Sequence, residues 1–168
     1  MTNQHIVSAF DRDLEGVQML LMKMGGLVES ALLEAAQALE TRDGELAEQV
    51  LRGDQVVDAL EEQINTECAR VIALRAPTAT DLRTVLTVMK IAGNLERCGD
   101  YAKNLAKRSI VLAQVPPVGS SAGSIRRLAK SVQGLLRDAL DAFIRRDAVL
   151  AADVRQRDRD VDQMYNAL

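Results

Sequence analysis

Apolar residues fall at Val7, Phe10, Leu14, Val17, Leu21, Met24, Val28, Ala31, Ala35 and Ala38, in steps of three and four. That spacing draws one stripe along a helix and predicts a first element from about Ile6 to Glu40. At 1.5 Å per residue such a helix is on the order of 50 Å long. Thr41-Arg42-Asp43-Gly44 interrupts the stripe, with Asp43 the expected N-cap of a second helix. The second stripe runs through Leu46, Val50, Gly53, Val57, Leu60, Ile64, Val71 and Leu74. Pro77 is expected to end it near Arg75, because the residue before a proline is pushed out of the helical region. Thr78-Ala79-Thr80-Asp81 has the pattern of a cap for a third helix, whose stripe is Val85, Val88, Ala92, Leu95, Gly99, Ala102 and Ala106. Three long helices with short connections predict an antiparallel three-helix bundle.

Gln114 to Gly123, "QVPPVGSSAG", concentrates proline, glycine and serine and reads as a linker. A fourth helix is expected from about Ser124 to Arg145 and a fifth from about Asp147 to the C-terminus. These two repeat earlier sequence. At a shift of 104 positions, Val28, Leu32, Ala35, Ala38, Arg42, Asp43, Leu46, Ala47, Val50, Asp54, Val57 and Asp58 recur as Val132, Leu136, Ala139, Ala142, Arg146, Asp147, Leu150, Ala151, Val154, Asp158, Val161 and Asp162. A shared Arg-Asp break and a shared DxxxD pair, without a gap, argue for a duplicated supersecondary unit. The organisation expected is a first three-helix repeat over 1–113, a linker over 114–123 and a partial second repeat over 124–168, which lacks a counterpart of the third helix.

Composition strengthens the helical reading. Aromatic residues are 2% of the chain and tryptophan is absent, which favours helices packed through small and aliphatic side chains. A net charge of −3 and a pI near 5.3 give no general attraction to nucleic acid or to an anionic membrane surface. No apolar run is expected to reach the roughly 20 residues that span a bilayer, and polar residues stand where a signal peptide would be apolar. A cytoplasmic protein without direct membrane insertion is the expectation. Cys68 and Cys98 lack a metal-ribbon spacing and are expected to be buried free thiols. Met19, Met22 and Met24 are expected to fill the core or widen the buried face of the first helix. His5 is the one histidine, placed near the N-terminus, and the chain has no ExxH pair, GxxxxGK[ST] loop or GxSxG elbow. Catalysis is therefore not expected.

The chemistry that stands out is acidic. Glu96 and Asp100 sit four apart on the third helix beside Gly99. Like charges at that spacing repel by about 0.2–0.5 kcal/mol, and an interior glycine costs roughly 0.8–1 kcal/mol against alanine. Asp54, Asp58 and Glu61 follow the second stripe in the same way, so up to five carboxylates can converge on one edge of the bundle. Gly53 and Gly99 are expected to allow a close approach of the backbones there. An all-oxygen set suits magnesium, calcium, manganese or iron better than a thiolate-rich zinc site does. The alternative is a solvated face, with an Asp100–Lys103 pair and with Arg52, Arg97, Arg157 and Arg159 as surface counter-charges of small worth.

"LERCGDYAKNLA", Leu95 to Ala106, resembles the ERxGD(x)AxN signature of the PhoU family, and "ADVRQRDRDVDQMYNAL", Ala152 to Leu168, is similar to that family's second-repeat helix. The resemblance implies an all-α tandem repeat of three-helix bundles, the second incomplete in this chain. It implies metal ions, iron or else zinc, manganese or magnesium, held by Glu96, Asp100, Asp54 and Asp58, with Asp158 and Asp162 as half of a second site. It further implies a cytoplasmic negative regulator of phosphate uptake and phosphate-starvation signalling that contacts the phosphate ABC transporter's ATPase and a phosphate sensor histidine kinase. Cys98 and Tyr101 depart from the family's usual residues, and the last helix of the second repeat has no counterpart. An open apolar face in that half leads to the expectation of a homodimer, with exchange of helices as one route. Two other readings stay open: a metal-buffering bundle without a signalling partner, and a plain helical scaffold.

Overall fold

A computed structural model describes residues 2–116 and 121–167, with side chains described over 9–116 and 122–167. The His5 side chain lies outside the described residues. Five helices account for nearly all of the described chain: α1 (Thr2–Thr41), α2 (Gly44–Arg75), α3 (Ala79–Leu112), α4 (Ser121–Arg145) and α5 (Ala148–Asn166). The all-α tandem arrangement is as the sequence predicts, and the first three helices form a bundle in which each packs on the other two.

The core of that bundle is the set of stripes. Phe10, Leu14, Val17, Leu21, Met24 and Val28 of α1 meet Val57, Leu60, Ile64, Cys68 and Val71 of α2 and Val85, Val88, Ala92 and Leu95 of α3. Towards the α1–α2 connection the core narrows to Ala35, Ala38, Ala47, Val50, Ala102 and Ala106. Small side chains there allow shorter interaxial distances than the Leu- and Met-filled end.

Both hairpins turn on the same device. Arg42 and Arg146 adopt left-handed backbone conformations, with φ of 59° and 54°. Asp43 N–H then donates to the Ala38 carbonyl at 3.0 Å, and Asp147 N–H to the Ala142 carbonyl at 2.9 Å. This is the 6→1 bond of a Schellman motif, here with arginine in the position that usually takes glycine. The aspartates then cap the next helix: Asp43 accepts from Leu46 N–H, and Asp147 accepts from Val149 and Leu150 N–H. Identical dipeptides thus build identical turns, 104 residues apart.

Several expectations are corrected. Gly53 is exposed, with nothing near the position of an added Cβ, and buried Asp54 occupies the inward position instead. Leu74 is 62% exposed, beyond the last buried turn of α2. Met19 is 68% exposed and Met22 is also on the surface, so only Met24 fills the core. Thr78 stands at the N-cap of α3 without a side-chain cap hydrogen bond. Helix α4 starts at Ser121, three residues before the expected start at Ser124. Within Ala9–Thr41, α1 reaches a mean hydropathy of 1.2, enough by length and composition alone to cross a membrane. Its apolarity has a packing cause, because α1 is the helix that meets α2, α3 and α4.

Helix α4 lies along α1. Leu140 and Ala142 are buried, Leu136 and Phe143 are half-buried, and the Leu140 side chain fills the space a Cβ on Gly25 would need. Arg137 donates to Glu29 at 2.9 and 3.0 Å on the rim of this contact. Among the described residues, helix α5 packs on α4 alone and buries none of its residues.

Candidate functional site

Asp54 faces inward because Val50, Asp54 and Val57 follow the helical period, and its side chain is only 5% exposed. A buried carboxylate requires a partner. Lys103, from the facing turn of α3, supplies it: the ammonium bonds Asp54 and also reaches Asp100 at 3.5 Å. The hydrogen bond that Lys103 donates to Asp54 holds its ammonium above its ordinary pKa, against the opposing effect of desolvation. Gly99 makes this approach possible. An added Cβ there would lie 3.3 Å from Val57 Cγ1 and 3.8 Å from Asp54 Oδ1, so the close approach expected of Gly99 is present.

One turn earlier on α3, Glu96 faces a different environment. Burial pushes its carboxyl above the usual carboxylate range, and Asp100, Glu61 and Asp58 add to the shift through their negative charge. Asn65 donates to Glu61 at 3.4 Å. An added Cβ at Gly93 would lie 3.6 Å from Glu61 Oε1, so Gly93 leaves room on that side. The edge between α2 and α3 therefore holds Asp54 and Asp100 sharing one lysine, and beside them Glu96, Glu61 and Asp58 in a shared negative field.

The carboxylates share that edge without forming a cage. Among the described residues, no three Asp, Glu, His or Cys side chains close on one point at the spacing a metal ion needs. Asp158 and Asp162 are exposed on α5, which among the described residues touches only α4, so they lie away from the α2–α3 edge. The donor set is all carboxylate oxygen, the ligand type that hard cations take, with Glu96 disfavoured as an anion first by burial and then by its acidic neighbours. The residue that sequence reasoning underweighted is Lys103. Its spacing from Asp100 was visible, but its bond to Asp54 depends on how α2 and α3 are paired.

Neither thiol sits where its thiolate is favoured. Cys68 is buried and its pKa is pushed up to about 11, first by desolvation and then by Glu67. Cys98 is half-buried and burial raises its pKa as well, with Arg97 opposing. Raised values disfavour the thiolate that nucleophilic or redox chemistry would use.

Comparison with known proteins adds what the geometry cannot. A family model described as the PhoU domain matches residues 21–109 and 125–168. The phosphate-specific transport system accessory protein PhoU homolog of Caulobacter vibrioides strain NA1000 is 41% identical over 165 residues, 98% of this chain and 72% of that relative. The protein of the same name from Aquifex aeolicus strain VF5 is 39% identical over 157 residues, 94% of this chain and 71% of that relative. Among solved structures, PhoU from Pseudomonas aeruginosa aligns with a TM-score of 0.89 at 39% identity, covering 94% of this chain and 76% of that one. The phosphate transport system regulatory protein PhoU from Streptococcus pneumoniae aligns with a TM-score of 0.85 at 31% identity, covering 95% and 74%.

Proposed function

The chain belongs to the PhoU family, and from that premise we propose that it is a non-enzymatic regulator of phosphate transport. In this reading it dampens phosphate uptake and represses the phosphate-starvation response in the cytoplasm, by contact with the ATPase of a phosphate ABC transporter and with a phosphate sensor histidine kinase. The observation that carries the reading is the match to named phosphate-transport accessory proteins along 94–98% of the chain. The architecture supports it. Helices of 32 to 40 residues joined by links of two or three residues give a rigid body with long lateral faces, suited to docking rather than to enclosing a substrate.

We further propose that the α2–α3 edge holds metal through Glu96, Asp100, Asp54 and Asp58, with Glu61 adjacent, and that Asp158 and Asp162 are the corresponding half-site on α5. The convergence of Glu96, Asp100, Glu61 and Asp58 in one negative field supports this. Bound there, a hard cation would supply positive charge to an acidic edge and tie α2 to α3. Lys103 does part of that work already, by offsetting part of the charge of Asp54 and Asp100. Association of two chains, as a homodimer, completes the proposal.

Alkaline phosphatase activity in phosphate-rich medium, with and without this gene in its source bacterium, tests the regulatory reading. High activity on deletion, returned to low by the gene, is the expected result; unchanged activity in a strain without a second copy of the family refutes it. For the metal, replacing Glu96 and Asp100 together by alanine should lower the melting temperature in metal-containing buffer and hardly change it in chelator. Equal losses in both buffers would reject the metal reading.

A further inference from the structure

The carboxylates of the α2–α3 edge outnumber the cations that touch them. Asp54, Asp58 and Glu61 come from α2, and Glu96 and Asp100 from α3. Among the described residues, the Lys103 ammonium is the one positive group that bonds any of the five, and it holds Asp54 and Asp100. Arg52 pairs instead with Glu48 of its own helix. The Lys103–Asp54 contact is also, among the described residues, the one ion pair that joins α2 to α3. Glu96, Glu61 and Asp58 are left in one another's field.

Lys103 stands on the approach to the most enclosed of these groups. The Asp54 side chain is 5% exposed, and Gly99 closes one side of it, an added Cβ there lying 3.8 Å from Oδ1. The ammonium takes the way in that remains. Bonded to the same carboxylate, an ammonium and a metal ion would be like charges about 4 Å apart, and the ammonium has donors only, with nothing to offer a cation. A hard cation collects about six oxygens or more, and the two carboxylates that would extend the set beyond Glu96, Glu61 and Asp58 are the two that Lys103 holds. The lysine has somewhere to go. Its own side chain is 29% exposed and that of Asp100 is 47% exposed, so the aliphatic stem can carry the ammonium into solvent without crossing the core.

We propose that Lys103 is the built-in competitor of a metal ion at the α2–α3 edge. In the metal-free chain its ammonium ties α3 to α2 through Asp54, and on metal loading it gives up Asp54 and turns to solvent. This rests on the metal reading above and adds what tunes the site and what loading changes. Affinity is set by exchange of one cation for another, so it is lower than the carboxylates alone would give. Loading alters the neighbouring surface, because a charge held against a buried aspartate becomes an exposed one on α3. The coupling is reciprocal: an acidic group of a partner that bonds the released lysine favours loading by the same factor.

Lysine labelling reads the release directly. The full chain is treated with a limiting amount of an acetylating reagent, in chelator and at saturating Mn²⁺, and each lysine is followed by mass spectrometry. Labelling of Lys103 should rise severalfold on loading while exposed Lys90 and Lys107 stay unchanged; unchanged or slower labelling of Lys103 overturns the proposal. Calorimetric titration is the second arm. Lys103→Met should bind Mn²⁺ about tenfold or more tightly than wild type, since a competing charge at a buried carboxylate is gone, whereas Lys103→Arg, which keeps that charge, should not. Arg97→Met removes a charge from the same helix without removing a bond to the edge, and should leave affinity within about twofold. An equal gain from Arg97→Met would mean a general field effect and overturns the displacement. Equal affinities of wild type and Lys103→Met overturn the proposal and leave the metal reading standing. No binding by either chain, of Mn²⁺ or of Fe²⁺ without oxygen, removes the metal reading and the proposal together.

Discussion

Replacing Lys103 by methionine should destabilise the chain by about 2–3 kcal/mol in the presence of chelator. Two unit charges 4 Å apart interact by about 4 kcal/mol at an effective dielectric of 20, and removing one member of a fully buried pair costs about 3–5 kcal/mol. Asp54 approaches that limit with a side chain only 5% exposed, but the Lys103 side chain is 29% exposed, so water screens part of the interaction. The second bond, to Asp100, joins a carboxylate that is 47% exposed, and pairs of that kind contribute about 0–1 kcal/mol. Methionine keeps the aliphatic volume and removes only the charge. Urea unfolding at pH 7 should show a lower midpoint with an unchanged slope. Asp54→Asn should rescue part of the loss in the double variant, because it removes the orphaned anion, and Asp100→Asn alone should change stability by less than about 0.5 kcal/mol. A Lys103→Met variant within about 0.5 kcal/mol of wild type, or additive effects of Asp54→Asn and Lys103→Met, would refute the assignment of a coupled buried pair.

Gly53→Ala should stabilise the chain by about 0.5–1 kcal/mol, the ordinary helix-propensity gain, because nothing lies within 4 Å of the added methyl. Gly99→Ala should instead destabilise it by about 1 kcal/mol net, overpacking against Val57 outweighing the propensity gain; thermal melts of both variants check the pair, and two equal gains would refute it. Leu140→Ala should cost about 2–4 kcal/mol, read by chemical denaturation, since Leu140 is the buried anchor of α4 on α1. Asp13 gives a pH dependence. Its carboxyl is held below the ordinary value first by its bond with Arg75 at 2.8 Å and also by Arg70 at 3.2 Å, with desolvation opposing. A lowered carboxyl contributes stability that is complete above the unfolded value near 3.9 and is lost as pH falls through the lower folded value. Asp13→Asn should therefore flatten the stability profile below about pH 4, and an unchanged acid limb would count against the pairing.

The helices, their order and most of the core were legible because each stripe keeps the helical period for many turns and each break has a physical cause. What misled was local. The second stripe runs through Gly53 in the sequence, whereas in the structure Val50, Asp54 and Val57 face inward, at the cost of burying a carboxylate. That cost is offset by Lys103, a residue on another helix, so α2 alone does not show it. The exposed Met19 and Met22 were misplaced for a related reason. Helix α1 meets three neighbours on different sides, and the boundary of its buried surface is set by where α4 lies, which the sequence of α1 does not record. The carboxylates were found as a set, but their division into a lysine-paired part and an unpaired part followed only from the pairing of α2 with α3.

Asp54 and Asp158 carry this point furthest. They occupy the same position of the same repeated pattern, DxxxD after the same Arg-Asp turn, and local sequence gives no reason for them to differ. Yet one is buried and bonded while the other is exposed. The difference is supplied wholly by α3, which brings apolar cover for Val50 and Val57 and a cation for Asp54 in one docking event. Burial of the carboxylate and arrival of the lysine are thus a single step: cover without the cation would strand a charge, and the cation without the cover would make a surface pair of little worth. An aspartate at this position therefore discriminates among registers of α3 on α2, favouring the one that brings Lys103 to Asp54 and penalising an equally apolar one that does not.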